Sequence, residues 1–367
     1  MRVKSFFKIS LVCSALFCIC LLSCGKDKNT GPAVVYAPLL KSAKENYPTL
    51  SKLFISADTV RLKTSGPQSL LPRVNYVKFT DDYIFLSTED ERLLEFDWDG
   101  NYIRQIGFQG RGPGEYLRLS RFDILPDKEE VYTVNLSDGL INVYSFQGKF
   151  LRTIETKEIL LDFAVLPDGH FLLMSRYPFT EAGRSLYETD AEGNLQRVLY
   201  EIPPYVYDES AEDHLAHISP DEIGFMPLKN DDTIYHILKD TIIKSMVVKS
   251  DIVMSKERLS RPSGYYSDEG YNREIFRETD RIMSAVLMGN ETVVRIYYDK
   301  VNDVTYLDVD TQPVAVPESD RVPVFQSAYN GWFIRVHDAG EIITNPHLHQ
   351  AFPEIDEDSN PVILLFR

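Results

Sequence analysis

Cysteine is almost absent from this 367-residue chain: all four, Cys13, Cys18, Cys20 and Cys24, lie within the first 24 residues. No disulfide can staple the chain beyond Cys24, so that long remainder must fold on its apolar core alone. A G-x-S-x-G stretch is missing, as is a glycine-rich loop ending in Lys followed by Ser or Thr. These absences leave out the nucleophile elbow and the phosphate-binding P-loop. Cations are scarce, 39 Lys and Arg against 55 Asp and Glu, for a formal charge of -16. A phosphate-backbone partner needs clustered cations, so no nucleic-acid partner is expected. The apolar run Ile9 to Leu22 falls short of the ~20 residues that span a bilayer.

That run instead closes a targeting signal. Arg2, Lys4 and Lys8 form a basic start, the apolar stretch comes next, and Leu21, Leu22, Ser23 and Cys24 end it. The ending resembles the bacterial lipobox, which implies cleavage before Cys24 and a lipid on its sulfur. Residues 1–23 are then signal peptide, and the mature chain keeps one cysteine. Gly25 to Pro32 is polar and reads as a flexible tether. From Val34 to Tyr47, Leu39, Leu40, Ala43 and Tyr47 fall at helical spacing and predict a short helical piece within a tether of residues 24–50.

What is abundant is aromatic: 21 Tyr and 20 Phe in a chain that is 44% hydrophobic. Planar rings suit half-buried pleated surfaces, and the length fits one large all-β domain or two smaller domains. From about Ser51 a β run, a turn and a second β run recur. Six hairpins are predicted: Tyr83 to Ser87 with Leu93 to Asp97, Val131 to Val134 with Ile141 to Tyr144, and Phe171 to Met174 with Ser185 to Thr189. The later three are Gly224 to Leu228 with Thr233 to Ile237, Val293 to Tyr298 with Val304 to Val309, and Trp332 to Val336 with Glu341 to Thr344.

Gly100, Gly148 and Gly193 punctuate this pattern, each in a tight turn that needs positive φ. Two residues on stands Tyr102, Phe150 or Leu195, four on Arg104, Arg152 or Arg197, and six on Ile106, Ile154 or Leu199. This alternation turns the apolar residues to the core, with the Arg ending that face near solvent. A period in the forties in an all-β chain is the signature of propeller blades, and six hairpins predict six blades over residues 51–367. The early strand Thr59 to Lys63, which holds Val60 to Leu62, and the run Val362 to Phe366 are left over, and they are expected to close one blade together. Asp251 to Met283 reads as a partly helical insertion, with Ile275, Thr279, Ile282 and Met283 at helical spacing.

Three segments carry a resemblance: Ile106 to Tyr116 (I-G-F-Q-G-R-G-P-G-E-Y), Asp358 to Arg367 (D-S-N-P-V-I-L-L-F-R) and the early V-R-L strand. With them the chain resembles the NHL-like six-bladed β-propeller lipoproteins of Bacteroidetes. The resemblance implies the fold and a cell-envelope address, with the outer membrane as the expected location, and brings no agreed activity.

Candidate site residues come from the loops. Gly110, Gly112 and Gly114 could turn amides toward an anion beside Arg111, or they could allow a sharp crossing between blades tied by Arg111 and Glu115. Tyr205, Tyr207, Tyr265, Tyr266 and Tyr271 could stack on a sugar or pack on a protein partner, or could cap the propeller core. His214 with His217, and His347 with His349, lack a third metal ligand by spacing, so no metal or other cofactor is expected. No catalytic residue stands out. The expected function is a lipid-anchored, non-catalytic binding or scaffold propeller for a protein or glycan partner. The alternative is a propeller enzyme of lactonase or lyase type with a metal in its channel.

Overall fold

Runs such as YIFLST at Tyr83–Thr88 and LLDFAV at Leu160–Val165 are apolar on both faces, the composition of strands buried between two sheets. A computed structural model describes residues 33–37, 47–156, 158–176, 185–202, 213–227, 233–239, 241–250, 272–288, 293–309 and 320–367. Strands dominate these residues, and the α-helices among them are short: α1 (Leu50–Leu53), α2 (Ala339–Thr344) and α3 (Pro346–Ala351).

Among the described residues two strands precede the first complete blade, β1 (Ala33–Ala37) and β2 (Ala57–Arg61). Blade 1 is an antiparallel meander of β3 (Val74–Phe79), β4 (Tyr83–Thr88), β5 (Leu93–Asp97) and β6 (Tyr102–Gln105). Blade 2 repeats it with β7 (Arg121–Leu125), β8 (Glu130–Asn135), β9 (Leu140–Ser145) and β10 (Phe150–Glu155). Blade 3 has β11 (Leu160–Val165), β12 (Phe171–Ser175), β13 (Ser185–Thr189) and β14 (Leu195–Glu201). Blade 4 has β15 (Leu215–Ser219), β16 (Glu222–Phe225), β17 (Thr233–Leu238) and β18 (Thr241–Ser250), with β1 added in parallel to its outer edge, Ala33 opposite Met246. Blade 5 has β19 (Asn272–Glu278), β20 (Ile282–Met288), β21 (Val293–Asp299) and β22 (Val304–Val309). Blade 6 has β23 (Ser327–Tyr329), β24 (Trp332–His337) and β25 (Val362–Phe366), and β2 completes it.

The first strands of the blades, β3, β7, β11, β15, β19 and β23, touch one another in turn around a closed ring. The fold is a six-bladed β-propeller. Its closure is the expected clasp: β2 runs antiparallel to β25, Ala57 opposite Phe366 and Arg61 opposite Val362. The edge of β25 is thereby paired instead of exposed. The Arg367 carbonyl accepts the Ile55 and Ser56 amides at 2.7 and 3.0 Å. Phe54 packs on Phe366 at 5.4 Å between ring centroids, and Phe325 on Phe333 at 4.8 Å, so the segment before β2 joins blade 6 in an aromatic cluster. Each such ring fully buried is worth ~1.5–3 kcal/mol.

The glycine turns stand as expected, with φ of 80°, 80° and 88° at Gly100, Gly148 and Gly193. Gly100 is fixed for a second reason: a Cβ there would stand 1.9 Å from the Arg61 carbonyl oxygen. The repeated Arg pairs with a glutamate of its own blade, Arg104 with Glu95 at 3.0 Å, Arg152 with Glu130 at 2.9 Å and Arg197 with Glu188 at 2.6 Å. Leu195 departs from the pattern and is exposed.

Four expectations are corrected. Ile275, Thr279, Ile282 and Met283 are not helical: β19 and β20 are the inner half of blade 5. The run IMSAVLM is apolar on both faces, and such a strand also satisfies helical spacing; residues 251–271 of the expected insertion lie outside the described residues. The helical piece from Val34 is a strand at its start, because Val34, Val35 and Tyr36 find a free edge on β18. Ala33–Ala37, inside the expected tether of residues 24–50, therefore joins the edge of blade 4. Glu341 to Thr344 is the end of α2, not a strand. There Asp338 accepts the Glu341 amide at 2.7 Å, an N-cap that overrides the β-branched pair Ile342 and Ile343.

Candidate functional site

The inner strands carry charged side chains in the midst of apolar runs, and the ring brings those charges together in the central channel. Asp123 of β7 is fully buried. Its carboxylate accepts Lys78 Nζ of β3 at 2.5 Å, His217 Nε2 of β15 at 2.8 Å and the Val165 amide of β11 at 2.8 Å. Burial alone would raise its pKa, but the His217 and Lys78 charges outweigh burial and hold the carboxyl well below the usual range. Tyr329 of β23 completes this layer, its ring 5.6 Å from the His217 ring and 5.2 Å from Lys78 Nζ. Strands β15 and β23 touch directly across the ring, so the layer partitions the channel.

A second charged layer lies toward the starts of β3, β7, β11 and β15, and Arg277 joins it from near the end of β19. Arg121 stacks 4.3 Å above the Tyr76 ring, with Nη2 3.5 Å from Asp213 and Nε 4.0 Å from Asp162. Asp162 accepts the His214 and Leu215 amides at 2.8 and 3.0 Å. Arg277 pairs with Asp213 and donates to the Gln326 carbonyl at 2.8 Å. Burial raises the pKa of Asp162, more than Arg121 lowers it, and Asp213 adds to the rise. Between the two layers remains a cavity of about 60 Å³, lined by these groups and Ser327. It is sized for a few waters.

Beyond the partition, at the ends of the inner strands, the channel widens to a cup of about 560 Å³. His217 and Tyr329 line both cavities. Phe79, Tyr83, Phe146 and Trp332 supply aromatic walls, and Asp81, Asp82, Asp127 and Glu129 stand at the exposed rim. The turns after β3 and β7 place these carboxylates, Pro126 opening the second turn as the first residue of a single 3₁₀ turn.

The glycine-rich segment forms a third cavity of about 440 Å³, outside the channel. Its anion-binding capacity is spent internally: the Gly112 amide donates to Glu115 Oε2 at 2.7 Å, and a Cβ on Gly110 would stand 1.9 Å from that oxygen. Blade 2 holds the loop through Tyr144 OH to the Gly114 carbonyl and Asn142 Nδ2 to the Glu115 carbonyl, at 3.0 and 3.1 Å. The Glu115 side chain therefore caps its own loop, while its backbone carbonyl takes the tie to the neighbouring blade. Arg111 is exposed on the lip of this cavity and does not reach the cup's lining.

Of the other expected site residues, Cys24, Tyr205, Tyr207, Tyr265, Tyr266 and Tyr271 lie outside the described residues. His214 is buried, its Nδ1 2.9 Å from the Met226 carbonyl oxygen, while His217 stands in the partition. His347 and His349 lie on α3, away from both channel cavities. Lys78, Arg121, Asp123, Asp162, Asp213 and Arg277 went unremarked in the sequence. For Asp123 and Asp162 the signal was a charge inside a strand otherwise apolar on both faces, in R-F-D-I-L and L-L-D-F-A-V.

Among solved structures, the chain is similar to a candidate exported protein of Bacteroides fragilis. They share 17% identity at a TM-score of 0.70, over 91% of this chain and 99% of the other. A member of the DUF4221 family from Bacteroides vulgatus is similar at 10% identity and a TM-score of 0.54, over 88% and 99% of the two chains. At these identities the likeness concerns the fold. No curated protein matches the sequence. A family model does, over residues 38–367, and with it the chain belongs to the domain of unknown function DUF4934.

Proposed function

We propose that this chain is an exported cell-envelope lipoprotein, anchored through Cys24, whose propeller is a non-catalytic binding module for a protein or glycan partner. The observation that carries this reading is the contrast inside the channel. The charges of the two inner layers are engaged with one another, while the cup beyond them is open, aromatic and large enough to receive a ligand group. The anchor rests on Leu21 to Cys24, and the similarity to a candidate exported protein agrees with an envelope address. The outer membrane and kinship with NHL-like lipoproteins belong to the same proposal.

One feature favours the enzyme alternative: Asp123 and His217 form a buried carboxylate–imidazole pair at the floor of the cup. A metal there would need further ligands, and among the described residues no group of three or more His, Cys, Asp and Glu side chains could hold one. The test joins both questions. Full-length protein and Cys24→Ala are expressed in a Gram-negative host that processes lipoproteins, membranes are washed with carbonate, and the retained protein is used for partner capture and a glycan screen. Retention of the parent and release of the variant are expected. Retention of Cys24→Ala would overturn the anchor, and turnover of a lactone or uronate panel would overturn the non-catalytic reading.

A further inference from the structure

We propose that the channel-mouth cup binds a cationic polypeptide segment, a lysine- or arginine-bearing stretch of a protein partner. This rests on the reading of the chain as a binding module and names the ligand chemistry for one site. Asp81, Asp82, Asp127 and Glu129 rim the cup, and among the described residues none of the four has a cationic partner. Asp123 on β7, four residues before Asp127, does have one in Lys78. Among the described residues no Lys or Arg lines the cup. Lys128, between Asp127 and Glu129 in sequence, turns away and donates to the Asp168 carbonyl at 2.9 Å.

The walls suit the same ligand. Tyr329 and Trp332 already take cations within the fold, Lys78 Nζ at 5.2 Å from the first ring and the Arg367 guanidinium at 5.9 Å from the second. A basic side chain has an apolar stem and a charged head, which match aromatic walls below a ring of carboxylates. The charged rim groups are all hydrogen-bond acceptors, so the complementary ligand is rich in donors and carries positive charge. About 560 Å³ holds a few side chains, so a short exposed segment of a partner fits where a folded domain does not.

The full chain offers its own probe, because Trp98 and Trp332 are its two tryptophans and Trp332 lines the cup. In a Trp98→Phe background the emission of Trp332 is followed during titration with acetyl-Gly-Lys-Gly-Lys-Gly-amide. The Glu counterpart of that peptide and a neutral gluco-oligosaccharide are titrated in parallel. A saturable shift is expected with the lysine peptide alone, weakening as salt rises from 50 to 500 mM. At least tenfold weaker binding is expected in Asp81→Asn/Asp82→Asn/Asp127→Asn/Glu129→Gln, whose unchanged circular dichroism checks its fold. No saturable shift with the lysine peptide, or equal affinity in the quadruple variant, overturns the proposal. A response to the oligosaccharide alone also overturns the cationic ligand but leaves the binding-module reading standing. If no probe binds, the cup is not the site, and partner capture through the anchored protein decides the broader reading separately.

Discussion

Asp123 and Asp127 stand four residues apart, on one strand and the turn after it, and they live in opposite conditions. Asp123 is buried and takes donors from three other inner strands; Asp127 is exposed at the cup rim with no cationic partner among the described residues. The difference is solvent. A carboxylate inside the ring must be compensated by the fold, whereas one in water carries no such demand and keeps its charge for whatever arrives. The inner layers therefore answer to stability, and the cup does not.

The largest effect that could break this comparison is Asp123→Ala. It leaves Lys78 and His217 facing each other without their counter-charge, and it is expected to cost about 3–5 kcal/mol in urea unfolding. A loss below about 1 kcal/mol would mean the layer is dispensable. The folded pKa of Asp123 is depressed, so its contribution is fully present above the ordinary carboxylate pKa. It is lost as pH falls through the folded value.

Glu95 sharpens the comparison from the other side. Burial pushes its carboxyl up to about 7 against the pull of Arg104. Its folded pKa is raised, so its contribution is present in acid and declines as pH rises from about 4.5 through 7. Stability followed from pH 5 to 8 should fall in the parent and stay flatter in Glu95→Gln. A parallel fall in both would reassign the slope to other groups.

The smallest effect is expected at the rim, where Asp127→Ala should change unfolding free energy by less than about 0.5 kcal/mol. A cost comparable to that of Asp123→Ala would show that the rim is structural and would weaken the case for a ligand there.

Much of the fold was legible because blades announce themselves locally. Gly100, Gly148 and Gly193 mark turns that only certain residues tolerate, and the alternating runs around them are short and regular. The clasp was legible by elimination, since Val60 and Val362 belonged to strands with no hairpin partner. Blade 5 was legible only in its outer hairpin, β21 and β22; its inner half was not, because Ile275 to Met283 satisfies two periodicities at once and only those neighbouring strands choose between them. The site was harder still. Lys78, Asp123 and His217 lie up to 139 residues apart, and nothing local in the chain reports that a ring will bring them within hydrogen-bonding distance.

Because β2 and its partner β25 are separated by all the other blades in the chain, the order of synthesis matters. A ribosome releases β2 some 300 residues before the strand that receives it exists. Blades 1 to 5 can each assemble as their own strands emerge, but blade 6 cannot be completed until Val362–Phe366 has been made. The ring thus spends its early life as an open arc with exposed strand edges, and the slowest contact to form is also the one that ends its exposure. A truncated chain that stops short of Val362 would remain in that arc, recognisable to proteases as unfinished.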